Sequence, residues 1–423
     1  MFQIFQSYFN FSFRSVLILV IFLLFIRESE AGQVLTGVDQ LFTRDFDSLL
    51  KGKKIGLVTN HTAINSRMQT TIFLLKTYAK TGNCTLKALF APEHGLTGSQ
   101  YASENILHEK DKDGIPIFSL HGDTKRPTAA MLKDIDLLIY DIQDIGSRSY
   151  TYISTLFYVM EEAAKLKIPV LVTDRPNPIN GLVVDGPMLE EKWRSPVGYI
   201  NVPYCHGMTI GELAHYFNAE YGIGCALTVI PMKGWKREMS FSDTGLKWIP
   251  TSPHIPEADT AFYYPITGII GELSLVNIGV GYTLPFKVIG APFIDGPVLA
   301  QTLNFQNLPG VYFYPFFYRP FFGRFAKKDC QGVLIVVTNP KTYQPFTIQS
   351  LLIGTLKNLY PQLFKKALEL KGDKENMFHK LNGTSKVYQI LKEHQFVIWK
   401  LRDLHQNERS AFLNKRKQYL LYK

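Results

Sequence analysis

Apolar residues along the chain fall into short runs, each closed by a polar or ionisable group. Lys54 to Asn60 (KIGLVTN) leads into Asn60 and His61, and Leu86 to Pro92 (LKALFAP) leads into Glu93, His94 and Gly95. Ile115 to Leu120 leads into His121, Leu137 to Tyr140 into Asp141, Gln143 and Asp144, and Pro169 to Thr173 into Asp174, Arg175 and Asn177. Short runs without polar interruption are what strands buried on both faces show. Between them the period changes to a helical one. One helical segment runs to about Tyr78, another carries Tyr152, Leu156, Val159, Met160 and Ala163 as far as Lys167, and a third starts at Thr209, where Glu212 completes a capping box, and continues to Tyr221. Ala226 to Ile230 then supplies one more strand. Strands alternating with helices predict an α/β domain with a parallel sheet joined by right-handed crossovers.

In such sheets ligands bind outside the carboxyl ends of the strands. The pattern therefore gathers Asn60, His61, Glu93, His94, His121, Asp141, Gln143, Asp144, Arg148, Asp174, Arg175 and Asn177 along one rim. The densest stretch is DLLIYDIQDIGSRSYTY, Asp136 to Tyr152. A plainer reading has Asp141 and Asp144 capping the following helix and Arg148 pairing with one of them. Glu212 is explained by capping, whereas His206 in His206-Gly207-Met208-Thr209 has no such explanation.

From Trp248 the texture changes to proline and aromatic residues (IPTSPHIPEADTAFYYP), which places a domain boundary between residues 245 and 246. Gly271 to Pro292 lacks helical period and reads as loops facing the first domain. Gly332 to Thr338 reads as a strand, and Thr347 to Tyr360, Phe378 to Leu391 and Trp399 to Tyr422 as helical, so residues 246–423 form a mixed α+β unit. Leu96 to Gly114 has no apolar period and reads as a long loop.

The N-terminus differs from all of this. Arg14 precedes an apolar run from Val16 to Ile26, and Ser29-Glu30-Ala31 offers small residues where a signal peptidase reads. Residues 1–31 are expected to be a signal peptide of an exported protein, periplasmic or secreted, with membrane association arising only if that segment stays uncleaved. The net charge of +10 collects near the C-terminus without a nucleic-acid motif, so no nucleic-acid partner is implied. Cys84, Cys205, Cys225 and Cys330 form no CxxC pair and are expected to be buried free thiols.

GxGxxG, GxxxxGK[ST], HExxH and GxSxG are all absent, which removes the usual signals for dinucleotide, P-loop, zincin and serine-hydrolase chemistry, and no cofactor is implied. A metal site built from His61, His94, His121 and Asp141 is a weaker alternative, since their spacing carries no ligand signature. Carboxylates are plentiful: Glu93, Asp141, Asp144, Asp174 and Glu272 supply what a paired-carboxylate hydrolase needs. Glu93 is the best candidate for the acid, because it follows Pro92, lies at a strand end and precedes a His-Gly pair. Its plainer role is a salt bridge to Arg148 or Arg175.

FAPEHGLTG (Phe90 to Gly98), DIQDIGSRSYTY (Asp141 to Tyr152), VTDRPNPINGLVVDGP (Val172 to Pro187), HGMTIGELA (His206 to Ala214) and LPFKVIGAPFID (Leu284 to Asp295) together resemble a bacterial family of exo-β-N-acetylmuramidases of cell-wall recycling. The resemblance implies a Rossmann-like parallel-sheet domain over residues 32–245, a smaller C-terminal α+β domain and an active cleft between them. It implies release of N-acetylmuramic acid from the non-reducing end of peptidoglycan-derived muropeptides or disaccharides. By motif match Glu93 is the catalytic acid, and His94, Asp141, Gln143, Arg148, Asp174, Arg175, Asn177 and His206 contact substrate; the rim pattern adds Asp141 as a second catalytic candidate and Asn60, His61 and Asp144 as substrate contacts. An arginine suits the lactyl carboxylate that distinguishes muramic acid from N-acetylglucosamine. One departure is Gly279-Val280-Gly281, where the family pattern has Gly-Arg-Gly. The competing readings are a non-catalytic muropeptide- or sugar-binding protein with the same cleft and, disfavoured by the missing nucleophile elbow, an esterase or deacetylase.

Overall fold

The computed structural model describes residues 33–99 and 109–423; the expected signal peptide lies outside the described residues, as does part of the polar loop after Leu96. Strands β1 (Lys53–Thr59), β2 (Cys84–Ala91), β3 (Glu109–Lys110), β4 (Pro116–Ser119), β5 (Leu137–Asp141), β6 (Val170–Thr173) and β7 (Leu227–Ile230) form one sheet in the order β3-β4-β2-β1-β5-β6-β7. Every pairing is parallel except that of β3 with β4. β5 and β6 are buried along their whole length, as their uninterrupted apolar runs require. The short β3 carries no apolar signal. It exists because Glu109 and Lys110 pair with Ile117 and Pro116.

Strand order reverses direction of growth at β1, with β2 and β4 on one side and β5, β6 and β7 on the other. This is the doubly wound arrangement, with its switch point between β1 and β5. The helix Thr151–Lys165 buries most of its length, including Leu156, Phe157, Val159 and Met160. The helix Ile210–Glu220 begins at the anticipated capping box, Thr209 Oγ1 accepting from the Glu212 amide and Glu212 bonding back to the Thr209 amide.

The remainder of the chain builds a second, antiparallel sheet of β8 (Val288–Ala291), β9 (Val311–Tyr318) and β10 (Cys330–Val337), ordered β8-β10-β9, surrounded by helices. The proline- and aromatic-rich stretch runs into a helix, Thr260–Glu272, which keeps Pro265 inside it, and Gln349 donates to the Pro265 carbonyl. One expectation fails here: the supposed loops up to Pro292 contain β8. A Cβ on Gly332 of β10 would lie 1.9 Å from the Ile289 carbonyl, so the anticipated strand β10 takes β8, which has little strand signal of its own, against it at a glycine. The helical stretch Phe378–Leu391 is two helices, Asp373–Asn382 and Lys386–Glu393, broken at Gly383, whose φ is 77°.

One buried apolar cluster runs continuously from Val58 of β1 through Leu156 and Ile266 to Phe412 near the C-terminus. The four cysteines are free and buried. Among the described residues no helix is long and apolar enough to cross a membrane. The last residues of the chain return to the parallel sheet: the Leu421 amide donates to Glu212, and the Tyr422 hydroxyl donates to Asp174 at 2.6 Å. Glu212 is fully buried and forms an ion pair with Arg237. Removing one partner of such a pair strands the other charge. Glu212→Gln is expected to lower the unfolding free energy by about 3–5 kcal/mol in urea titration at pH 7, while Lys192→Gln, at an exposed pair, should change it little.

Candidate active site

Glu93 stands just past the end of β2. Pro92 fixes the exit from the strand, and His94 and Gly95 both adopt positive φ, 70° and 75°, which turns the chain sharply. The turn leaves the Glu93 side chain facing the start of the helix Thr151–Lys165, where Thr151 Oγ1 donates to Glu93 Oε2 at 2.5 Å. Glu93 also lines a cavity of about 310 Å³, together with Leu120, His121, Thr155, Tyr158, Pro196, Met377, Lys125 and Lys380. Among the described residues neither lysine pairs with a carboxylate, so this cavity holds one acid and two unspent cations.

Most of the other rim residues have been taken into the framework. Asp141 is fully buried; its Oδ1 accepts from Arg175 Nε at 2.5 Å and its Oδ2 from Arg175 Nη2 at 2.9 Å and from Thr71. Asp174 accepts from Thr209 Oγ1, the Gly211 and Arg175 amides and Tyr422, which anchors the helix Ile210–Glu220 to the end of β6. Burial pushes the Asp174 carboxyl up to about 6 against the pull of those donors. Asn177 donates to the Met208 carbonyl and packs against Gly146, and Gln143 donates to the Asp144 and Pro176 carbonyls. His206 is fully buried, accepts at Nδ1 from the Met208 amide and is held neutral, burial lowering its pKa to about 3.

Arg148 is held most elaborately. It is fully buried and donates from Nη1 to the Pro187 and Val202 carbonyls, at 2.7 and 2.8 Å, and from Nη2 to the Leu381 and Asn382 carbonyls, at 3.3 and 2.9 Å. Burial lowers its pKa to about 10. Arg175 is paired with Asp141 and lines only the small cavity beside Leu246 to Ile249. Asp141, Arg148, Asp174, Arg175, Asn177, Gln143 and His206 are thus all buried and bonded within the framework, because strand-end charges at the centre of a wide sheet are covered by later segments of the chain.

The crevice at the switch point is itself closed. Asn60 turns back on Thr62, its Oδ1 accepting from the Thr62 amide and hydroxyl, and His61 Nε2 meets the Pro250 carbonyl at 2.7 Å. Leu246 to Ile249 cover what is left, a cavity of about 20 Å³. The open space is displaced toward β2 and β4. His61, His94 and His254 lie close enough to influence one another; burial lowers the pKa of His61 and of His254, and His94 lowers each further. Among the described residues no group of three His, Cys, Asp or Glu side chains is placed to hold a metal.

A wall of hydroxyls connects Glu93 to the second half of the chain. Tyr150 and Tyr152 pack edge to face at 4.9 Å, and their hydroxyls donate to Thr251 Oγ1 and the Thr251 carbonyl. Tyr264, from the helix Thr260–Glu272, lies 3.2 Å from Ser149 Oγ and feels the charges of both Glu272 and Glu93. Beyond it lies a second cavity of about 340 Å³, lined by Tyr204, Glu272, Asn277, Val280 and Arg324. Arg324 lines the same cavity as Val280, which stands where the family pattern has an arginine, and its guanidinium lies 4.4 Å over the Phe325 ring. Burial raises the pKa of Glu272 there.

Thr151 lay within the densest polar stretch of the sequence but carried no signal as a carboxylate donor. Tyr264, Lys125 and Lys380 had none either, since tertiary folding alone brings them to Glu93. Asp144 keeps unspent chemistry: Oδ2 accepts from the Gly146 amide at 2.7 Å, Oδ1 is buried with no hydrogen-bond partner, and burial raises its pKa to about 7. An acid whose folded pKa is raised binds protons more tightly when folded, so stability falls as pH rises from the unfolded value toward 7. His206, whose pKa is lowered, acts with the opposite sign, so the Asp144 contribution is read as a difference between variants. The melting temperature of the wild type relative to that of Asp144→Asn is expected to fall as pH rises from about 4 to about 7 and to level off above that, by scanning calorimetry.

Residues 55–259 match the family model described as exo-beta-N-acetylmuramidase NamZ, N-terminal, and residues 262–422 the corresponding C-terminal model. The peptidoglycan beta-N-acetylmuramidase NamZ of Bacillus subtilis (strain 168) is 39% identical over 391 residues, covering 92% of either chain. Two crystal structures of DUF1343 family proteins from Bacteroides fragilis NCTC 9343 share the fold. One superposes with a TM-score of 0.85 at 38% identity, covering 92% of this chain and 99% of its own. The other gives 0.70 at 29% identity, covering 93% and 99%.

Proposed function

The chain belongs to the exo-beta-N-acetylmuramidase NamZ family and is a glycoside hydrolase of peptidoglycan; from that premise we propose that it removes single N-acetylmuramic acid units from the non-reducing end, with Glu93 as general acid. The observation that carries this reading is the posture of Glu93. Thr151 holds Oε2, and Glu93 lines a cavity of about 310 Å³, the scale of a single saccharide unit. A proton on Glu93 would pass to the glycosidic oxygen as its bond to the anomeric carbon breaks, so that the leaving group departs as a neutral alcohol, while the oxygen of a water bonds to the anomeric carbon and its released proton restores the acid through solvent.

A pocket of that size, roofed by Pro196, Val197 and Met377, suits a terminal residue better than an internal stretch of a polymer. The second cavity, across Tyr264, would take the departing portion. Apolar lining from Leu120, Tyr158 and Val197 suits the methyl groups of the acetamido and lactyl substituents. The non-catalytic sugar-binding reading gains no support, because the family is enzymatic.

Glu93→Gln keeps the hydrogen bond from Thr151 and removes the transferable proton. On a disaccharide, whose leaving alcohol needs a proton, this variant is expected to lose about 10²–10⁴ in kcat, and less on p-nitrophenyl β-N-acetylmuramide, whose leaving group departs readily as an anion, with an unchanged melting temperature. Hydrolysis of a disaccharide at the wild-type rate by a folded Glu93→Gln protein would remove Glu93 from the mechanism.

A further inference from the structure

Muramic acid differs from N-acetylglucosamine by a lactyl ether whose carboxylate is the one charged group on the sugar, so a muramidase that selects its substrate needs a cation near the bound ring. The two arginines nearest the catalytic motifs cannot serve, because Arg175 is paired with Asp141 and Arg148 is committed to four backbone carbonyls. The cavity that holds Glu93 supplies its own cations. Lys125 and Lys380 line it, and no carboxylate among the described residues pairs with either.

The two lysines differ in how firmly they are held. Lys125 is exposed, in an irregular segment beyond β4. Lys380 is partly buried near the end of the helix Asp373–Asn382, and that end is fixed from several sides. Phe378 and His379 are buried, Asn382 Nδ2 donates to the Phe378 carbonyl, and the Gly383 amide closes the helix on the His379 and Lys380 carbonyls. Arg148 binds the next two carbonyls, Leu381 and Asn382. The Lys380 backbone is thus fixed, and Lys380 lines the same cavity as Glu93 from a different part of the chain.

We propose that Lys380, with Lys125 at the rim, recognises the lactyl carboxylate of the sugar held against Glu93; this rests on the muramidase reading of that cavity. The ammonium of Lys380 meets a carboxylate in a partly desolvated place, where a charge-assisted hydrogen bond discriminates well against an uncharged analogue. Arg148 is a positioning residue in this scheme, since it fixes the helix end that carries Lys380.

The test compares p-nitrophenyl β-N-acetylmuramide with its lactyl methyl ester, which keeps the shape and removes the charge. Wild type is expected to prefer the free acid by about 10- to 100-fold in kcat/KM, mostly through KM. Lys380→Gln should bring that ratio close to one by slowing the acid and not the ester, Lys380→Arg should keep more than half of the preference on a logarithmic scale, and Lys125→Gln should lower it partially. A wild-type ratio near one would overturn the proposal without any variant, as would an unchanged ratio in Lys380→Gln or a ratio abolished by Arg324→Gln alone. Failure of the wild type to hydrolyse either compound would instead overturn the muramidase reading, so the two failures are distinguishable.

Discussion

Arg148 enters the protein interior and meets carbonyl oxygens where an acid would be expected. Two of the four belong to the first half of the chain, at Pro187 and Val202, and two to the second, at Leu381 and Asn382. A buried guanidinium without its donors satisfied would be prohibitively costly, so the segments at Pro187 and Val202 and the helix end at Leu381 and Asn382 can close on one another only in the register that serves them all. The guanidinium also lies over the ring of Tyr204, whose hydroxyl bonds Ser149 and so reaches the hydroxyl wall beside Glu93. One side chain thereby fixes the distance between the parallel-sheet half, which carries the acid, and the helical half, which carries Lys380 and Tyr264. Lysine could not replace it, since a single ammonium cannot spread its donors over carbonyls on two sides.

The parallel sheet was legible because buried strands must be apolar throughout and the chemistry of their ends shows as abrupt polarity. All five early runs became strands of that sheet, and the capping box at Thr209 formed as its residues dictate. The second half was less legible for the opposite reason. Pro265 sits inside a helix whose stability comes from packing and from Gln349 rather than from propensity, and β8 and β10 meet at glycines that look like loop residues until the strands are brought together. Sequence patterns record local preference, and these elements are decided by tertiary contact.

The candidate site shows the same division. That strand-end residues would converge was readable; which of them would face substrate was not, because the cover over the rim is supplied by distant segments. Leu246 to Ile249 close the switch-point crevice, Tyr422 caps Asp174, and the helix Asp373–Asn382 receives Arg148. Each of these converts a charged rim residue into an internal brace. Glu93 escapes because β2 lies to one side of the switch point, where the covering segments leave a cavity open.

Titration behaviour would by itself have pointed to the wrong residues. Asp144, Asp174, His206 and Arg148 are all displaced from their ordinary values, and in each the leading cause is burial. Burial perturbs a brace as strongly as it perturbs a catalyst, so a displaced pKa marks a site only when the group also keeps unspent hydrogen-bonding capacity facing open space. Asp174 has four donors and no access, and Arg148 has four acceptors and none. Glu93 has one oxygen held and lines a cavity, and the cations beside it meet no carboxylate among the described residues. A paired, buried charge is already neutralised and has nothing to offer a ligand, whereas an unpaired charge at a cavity wall keeps its whole field for whatever enters. The rule that separates framework from chemistry in this fold is therefore a count of unsatisfied valence at the cavity surface, and it selects Glu93 and Lys380 from a rim crowded with ionisable side chains.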